Sequence, residues 1–222
     1  GINTIANTTL QTNTTNTYLG SSAAGVGDIN GDGFSDVVGG GWLAALPNSG
    51  EGAAWVFMGS ATGLNPVARH RLERNQGGAQ FGFSVAPAGD LNADGFSDVI
   101  IGAPKYNLST APLGPPDDGA VFIYHGSVNA LGVGLNPNPT LTFNTFGFAQ
   151  RTGWAVHTAG DVNGDGYSDI IIGDWQDEIG PEFDEGVVVV YHGSPTGMNT
   201  TPVTIIQGNV QEQWFGRSVS TA

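Results

Sequence analysis

Three short stretches of the chain repeat one arrangement of oxygen-bearing side chains. Residues 27–38 read GDINGDGFSDVV, residues 89–100 read GDLNADGFSDVI and residues 160–171 read GDVNGDGYSDII. Counted from the leading Asp, each follows D-x-N-x-D-G-x-x-D. Asn-Gly and Asp-Gly steps are turn chemistry and account for one such loop. They do not account for Asp at positions 1, 5 and 9 in all three copies, because three like charges within nine residues repel without a cation. Hard Ca²⁺ takes roughly 6–8 oxygen ligands at about 2.3–2.6 Å in flexible geometry. The first loop offers Asp28, Asn30, Asp32, the Phe34 carbonyl and Asp36. The second offers Asp90, Asn92, Asp94, the Phe96 carbonyl and Asp98, and the third Asp161, Asn163, Asp165, the Tyr167 carbonyl and Asp169. Gly at position 6 permits the tight curl. Mg²⁺, which prefers a rigid octahedron with several waters, suits these loops less well.

The loops resemble those of EF-hands, but an EF-hand needs Glu at position 12 and flanking helices. Position 12 is Gly39, Ile101 and Ile172, and strand-like sequence follows each loop. Other chemistry has no footing. There is no Cys, hence no thiolate nucleophile or disulfide frame. No G-x-S-x-G elbow, H-E-x-x-H or phosphate-binding Gly loop is present. His125 and His192 hold a repeat position that Met58 fills in the first copy, which reads as strand packing rather than a catalytic base. The expectation is a non-catalytic protein.

Charge agrees with metal loops. The 222 residues carry 20 Asp and Glu against 6 Lys and Arg, a formal net charge of −14. Nine of the 14 Asp lie in the three loops, and three bound Ca²⁺ would bring −14 + 6 = −8. Such acidity opposes nonspecific binding to nucleic acid or anionic membranes. No apolar run approaches the length of a membrane span. The chain begins at Gly1 without a signal-peptide core and reads as a processed or excised segment.

The loops must be positioned by strands. A second element recurs between them: AAWVFMGS (53–60), AVFIYHGS (120–127) and VVVVYHGS (187–194). In the middle copy, residues 83–89, 97–103, 120–126 and 139–145 read as four short strands separated by turn residues. A repeat of about 65 residues with four antiparallel strands has the size of a propeller blade. The fold class is therefore all-β, with three β-propeller blades, at about 19–80, 81–150 and 151–214, forming one unit over 1–222. Residues 215–222 read as the first strand of a further blade. The Thr/Asn-rich stretch 1–18 is either a strand or a frayed end. Three blades are too few to close a ring, so the chain is either part of a longer array or is completed by other copies of itself.

At this point the chain resembles the FG-GAP repeat family, which includes the blades of the integrin α-subunit propeller. The resemblance rests on FGFSVAPAGDLNADGFSDVIIGAP (81–104), which holds Phe-Gly, the Asp loop and Gly-Ala-Pro in order. In the outer copies Gly-Ala-Pro becomes Gly-Gly-Gly (39–41) and Gly-Asp-Trp (173–175), and Phe-Gly becomes Leu19-Gly20 and Thr152-Gly153. The family implies a Ca²⁺-stabilised propeller that displays loops for protein or glycan contact, outside the cell or on its surface. A bacterial source is expected.

In such a blade the metal loops share one rim with the connections between third and fourth strands. The long loops 40–52, 104–119 and 174–186 lie on the other, where function usually sits. Trp42, Lys105, Tyr106, Trp175 and Phe183 are the candidate ligand contacts. The group Asp174, Asp177, Glu178, Glu182, Asp184 and Glu185 reads as a solvated acidic loop, with a further cation or a basic partner as the alternative. Three functions remain open: an adhesion or binding module, a self-assembling ring or fibre built by strand donation, and a propeller appended to a secreted enzyme.

Overall fold

The computed structural model describes residues 8–12, 14–108, 118–128, 134–145, 151–176, 185–208, 210 and 213–221. All regular structure in them is β. The first sheet is β1 (Ser22–Gly27), β2 (Asp36–Gly41), β3 (Ala53–Phe57) and β4 (His70–Leu72), antiparallel and in chain order. The second holds β5 (Ser84–Gly89), β6 (Asp98–Ala103) and β7 (Ala120–Tyr124). A small hairpin of β8 (Gly126–Ser127) and β9 (Gly134–Leu135) then precedes the sheet's edge strand, β10 (Leu141–Phe143). The third repeats this plan with β11 (Ala155–Gly160), β12 (Asp169–Asp174), β13 (Val187–Tyr191), the hairpin β14 (Gly193–Ser194) and β15 (Gly197–Met198), and β16 (Thr204–Gln207). These are the four-stranded antiparallel blades that the repeat predicts.

In the second sheet the central strands are continuous apolar runs because both of their faces are covered. Strand side chains alternate between faces. In β6, Val99 and Ile101 enter the core against the first sheet, whereas Ile100 enters the core against the third. In β7, Phe122 and Tyr124 face one way and Val121 and Ile123 the other. Fully burying each such side chain stabilises the fold by about 1.5–3 kcal/mol. Arg74 spans the first of these interfaces. Its guanidinium lies 5.6–5.7 Å from the rings of Phe81, Phe122 and Tyr124, and it donates to the Pro137 carbonyl at 2.7 Å.

The Phe-Gly and Gly-Ala-Pro elements are the two halves of one inter-blade contact. A Cβ on Gly40, Gly102 or Gly173 would collide with the carbonyl oxygen of Gly82, Gly153 or Gly216, respectively. Ser22 and Ser84 donate their hydroxyls to the Gly82 and Gly153 carbonyls at 2.8 and 2.7 Å. Parallel bridges join Gly52 to Phe81, Gly119 to Thr152 and Gly186 to Phe215. Phe215 and Gly216 thus sit on the third sheet as their counterparts sit on the sheets before them, although residues 216–221 form no strand. Residues 8–12 and 14–18 also form none. Gln11 makes an isolated bridge to Val67, and Leu10 and Leu19 cover Ala44, Ala53, Trp55 and Phe57 on the outer face of the first sheet.

Candidate metal centres

Each first strand ends in a bulge, between Gly25 and Gly27, Pro87 and Gly89, and Thr158 and Gly160. The bulge re-aims the chain into the Asp loop. In the first loop the Asp28 carboxylate turns inward. Its Oδ1 accepts the backbone N–H of Gly31 at 2.6 Å and of Asp32 at 3.1 Å, and its Oδ2 accepts that of Gly33 at 2.7 Å. Asp90 and Asp161 repeat this, with Gly95 and Gly166 donating at 2.9 Å. At positions 3 and 5 the Asn amide donates to the Asp carboxylate: Asn30 to Asp32 at 2.9 Å, Asn92 to Asp94 at 2.9 Å, and Asn163 to Asp165 at 2.8 Å. Phe34, Phe96 and Tyr167 donate their backbone N–H to the same carboxylates at 3.0 Å.

Position 9 is the buried end of each loop. Asp36, Asp98 and Asp169 are completely enclosed. One oxygen of each accepts from position 2 of its own loop: Ile29 at 3.1 Å, Leu91 at 2.8 Å and Val162 at 2.8 Å. The other accepts from Gly59, Gly126 or Gly193, at 2.8, 2.9 and 3.0 Å. These glycines follow the third strand, so the metal loops share a rim with the connections between third and fourth strands. Burial pushes the Asp98 carboxyl up to about 7. The Leu91 and Gly126 N–H groups pull it back, and the charges of Asp94 and Asp90 add to the rise. Asp36 is raised for the same reasons. The exposed Asp165 is held low by the Tyr167 N–H and the Asn163 amide.

Among the described residues no group of three or more Asp, Glu, His or Cys is drawn together as a metal shell requires. The residues nevertheless fit a hard cation chemically. Every donor is an oxygen, and Asp90, Asp161 and the three position-9 carboxylates keep lone pairs beyond the backbone N–H groups that hold them. Among the described residues none of the nine loop Asp is ion-paired with Lys or Arg, so no Lys or Arg charge offsets their mutual repulsion.

The opposite rim carries a row of aromatic rings. Trp42 meets Phe83 at 5.9 Å, Phe83 meets Trp154 at 4.5 Å, Trp154 meets Trp175 at 5.5 Å and Trp175 meets Trp214 at 5.9 Å. All are half-buried except Trp214, which is exposed. Arg151 and Arg217 lie 6.0 and 5.6 Å from the Trp154 and Trp214 rings. Of the ligand contacts expected from sequence, Trp42 and Trp175 belong to this row. Tyr106, half-buried, packs edge-on to Phe122 at 5.1 Å, against the core. Lys105 is half-buried and anchored through its backbone N–H to the Ala79 carbonyl at 3.2 Å. Phe183 lies outside the described residues. Phe83, Trp154 and Trp214 complete the row, and Phe83 and Trp154 hold the same position, directly after Gly82 and Gly153.

Two further expectations change. Asp174 and Glu185 are not solvated loop residues, because both are buried; Asp177, Glu178, Glu182 and Asp184 lie outside the described residues. Glu185, Asp118 and Glu51 are equivalent buried carboxylates, each preceding a bridging Gly. Glu51 shows what such a group does: it accepts from Asn48 and from Asn75, tying two rim loops together. His125 and His192 do more than pack, since their Nδ1 atoms stand 3.4 and 3.0 Å from the amides of Asn92 and Asn163.

Comparison with known proteins fits this architecture. The family model described as FG-GAP repeat matches residues 81–124 and 152–191. The chain carries FG-GAP repeats. The chain is 32% identical over 208 residues to integrin alpha-6 of Gallus gallus, covering 92% of this chain and 17% of that protein. It is 32% identical over 206 residues to the Homo sapiens integrin alpha-6 and 31% identical over 191 residues to Homo sapiens integrin alpha-8, covering 92% and 86% of this chain and 16% of each relative. The FG-GAP chain thus spans about a sixth of the length of these curated relatives. They are vertebrate proteins and lend no support to a bacterial source. No helix among the described residues is long and apolar enough to cross a membrane.

Proposed function

We propose that this chain is a Ca²⁺-binding, non-catalytic β-propeller module of the integrin α type, acting outside the cell or on its surface in adhesion to a protein or glycan. Blades at 19–80, 81–150 and 151–214, with 215–222 opening another, are the units of this reading. Asp28, Asn30, Asp32, Asp36 and the Phe34 carbonyl would hold one ion. Asp90, Asn92, Asp94, Asp98 and the Phe96 carbonyl would hold a second, and Asp161, Asn163, Asp165, Asp169 and the Tyr167 carbonyl a third. Bound Ca²⁺ would supply positive charge to carboxylates that otherwise repel.

The ligand surface in this reading is the rim opposite the metal loops. The observation that carries it is the unbroken row Trp42, Phe83, Trp154, Trp175 and Trp214. Rings packed edge-on or tilted against one another offer a rigid, partly apolar strip with little conformational entropy to lose on binding. Arrays of glycans and extracellular proteins, probed with wild type and with Trp154→Ala, test the reading. Hits that vanish in the variant support it; hits that survive place the ligand elsewhere.

A second reading, self-association, draws on the outer face of the third sheet. There Val188 pairs with Ile206, which is 47% exposed. A monodisperse monomer by light scattering in Ca²⁺ would exclude it.

A further inference from the structure

We propose that Ser97 and Ser168 are positioning residues that tie each metal loop to the loop before it, so that the three loops fill with cation as a coupled set. The proposal rests on the Ca²⁺ reading above and concerns how the sites act on one another.

The contacts repeat from blade to blade. The Ser97 N–H donates to the Asp28 carbonyl at 3.0 Å, and the Ser168 N–H donates to the Asp90 carbonyl at 2.9 Å. Ser168 Oγ also accepts the Asp90 N–H at 3.1 Å. Asp28 and Asp90 hold position 1 of their loops, and each serine holds position 8 of the next loop. A second grip falls one residue along. The Ser127 N–H donates to the Ile29 carbonyl and the Ser194 N–H to the Leu91 carbonyl, both at 3.0 Å. The fit is close: a Cβ on Gly27 or Gly89 would collide with the hydroxyl of Ser97 or Ser168.

Both grips converge on one carboxylate. Ser97 directly precedes Asp98, and Ser127 directly follows Gly126, whose N–H Asp98 holds at 2.9 Å. Whatever fixes Asp98 therefore fixes both donors that clasp Asp28 and Ile29. Asp169 stands in the same relation to Ser168, to Gly193 and Ser194, and so to Asp90 and Leu91. A cation that orders the second loop lowers the entropy cost of ordering the first, and one in the third does so for the second. Linkage makes the effect reciprocal, and coupling of this kind typically changes affinity about 5-fold or more.

The test is a Ca²⁺ titration followed by amide NMR, reading the position-6 glycines Gly33, Gly95 and Gly166 as reporters of their own loops. Asp94→Asn removes a charge from the second loop and leaves Ser97 and Asp98 in place. The half-saturating Ca²⁺ for Gly33 and for Gly166 should rise about 5-fold or more. Ser168→Ala keeps every proposed ligand and the backbone bond to Asp90 but removes the hydroxyl that accepts the Asp90 N–H; it should weaken the joint response of Gly95 and Gly166 with only a small loss of metal-free melting temperature. Gly33 and Gly166 titrating at wild-type concentrations in Asp94→Asn would overturn the coupling and leave Ca²⁺ binding standing. Absence of any Ca²⁺ response at the three glycines of the wild type would overturn the Ca²⁺ reading and the coupling with it.

Discussion

The carboxylate of Asp98 and the backbone N–H of Gly126 meet at 2.9 Å across 28 residues of chain. That bond, repeated at Asp36 with Gly59 and at Asp169 with Gly193, fastens each metal loop to the connection beside it. Position 9 is thus a structural strut as well as a proposed ligand. Asp98→Ala strands two buried N–H groups, each costing about 1–3 kcal/mol. The variant should lose about 2–6 kcal/mol in urea unfolding, measured in a chelator so that no metal contributes. Asp98→Asn, which keeps one acceptor, should fall in between.

Blade stacking depends on bare backbone at Gly102. A methyl group there meets the Gly153 carbonyl, and Gly102→Ala should cost about 1–3 kcal/mol. For a domain of this size that lowers the melting temperature by about 2–4 °C per kcal/mol. Gly25→Ala is the control, because a Cβ at Gly25 meets nothing within 4 Å. It should change stability by no more than about 0.5 kcal/mol.

Arg74 holds the first blade to the second through three ring faces. Each cation–π contact contributes about 0.5–2 kcal/mol according to its desolvation. Arg74→Gln should therefore destabilise by about 1–3 kcal/mol. Arg71→Gln, which breaks the exposed pair with Glu73, should cost about 1 kcal/mol or less. Parallel urea titrations of the two variants make the comparison.

Trp154 sits between Phe83 and Trp175 in the aromatic row. If ligand binds along the row, Trp154→Ala should weaken it about 10- to 30-fold, as for the central aromatic anchor of an interface. Lys105→Ala, outside the row, should leave affinity within about 2-fold, a change of about 0.4 kcal/mol. Surface plasmon resonance against any array hit reads both.

Much of this was legible in the sequence, because repetition marks what one copy cannot. The Asp loops and central strands recur with the same order and pattern, and the unbroken apolar run VIIGA already implies two covered faces. The aromatic row was only half legible. Trp42 and Trp175 follow second strands, whereas Phe83 and Trp154 precede first strands, and only the stacking of blades brings the two positions into one line. Glu185 reads as a loop charge because sequence does not show that the fold buries its carboxylate. The contact of His125 with Asn92 was hidden because it joins the residue after a third strand to a loop more than thirty residues away.

The central claim is that the Asp loops require a cation, and thermal unfolding with and without Ca²⁺ tests it most directly. Each site filled at about 100 times its Kd adds about 2.7 kcal/mol. Millimolar Ca²⁺ should therefore raise the melting temperature well above its value in EDTA, and restoring Ca²⁺ after EDTA should recover it. Identical melting temperatures in Ca²⁺ and in EDTA would contradict the account.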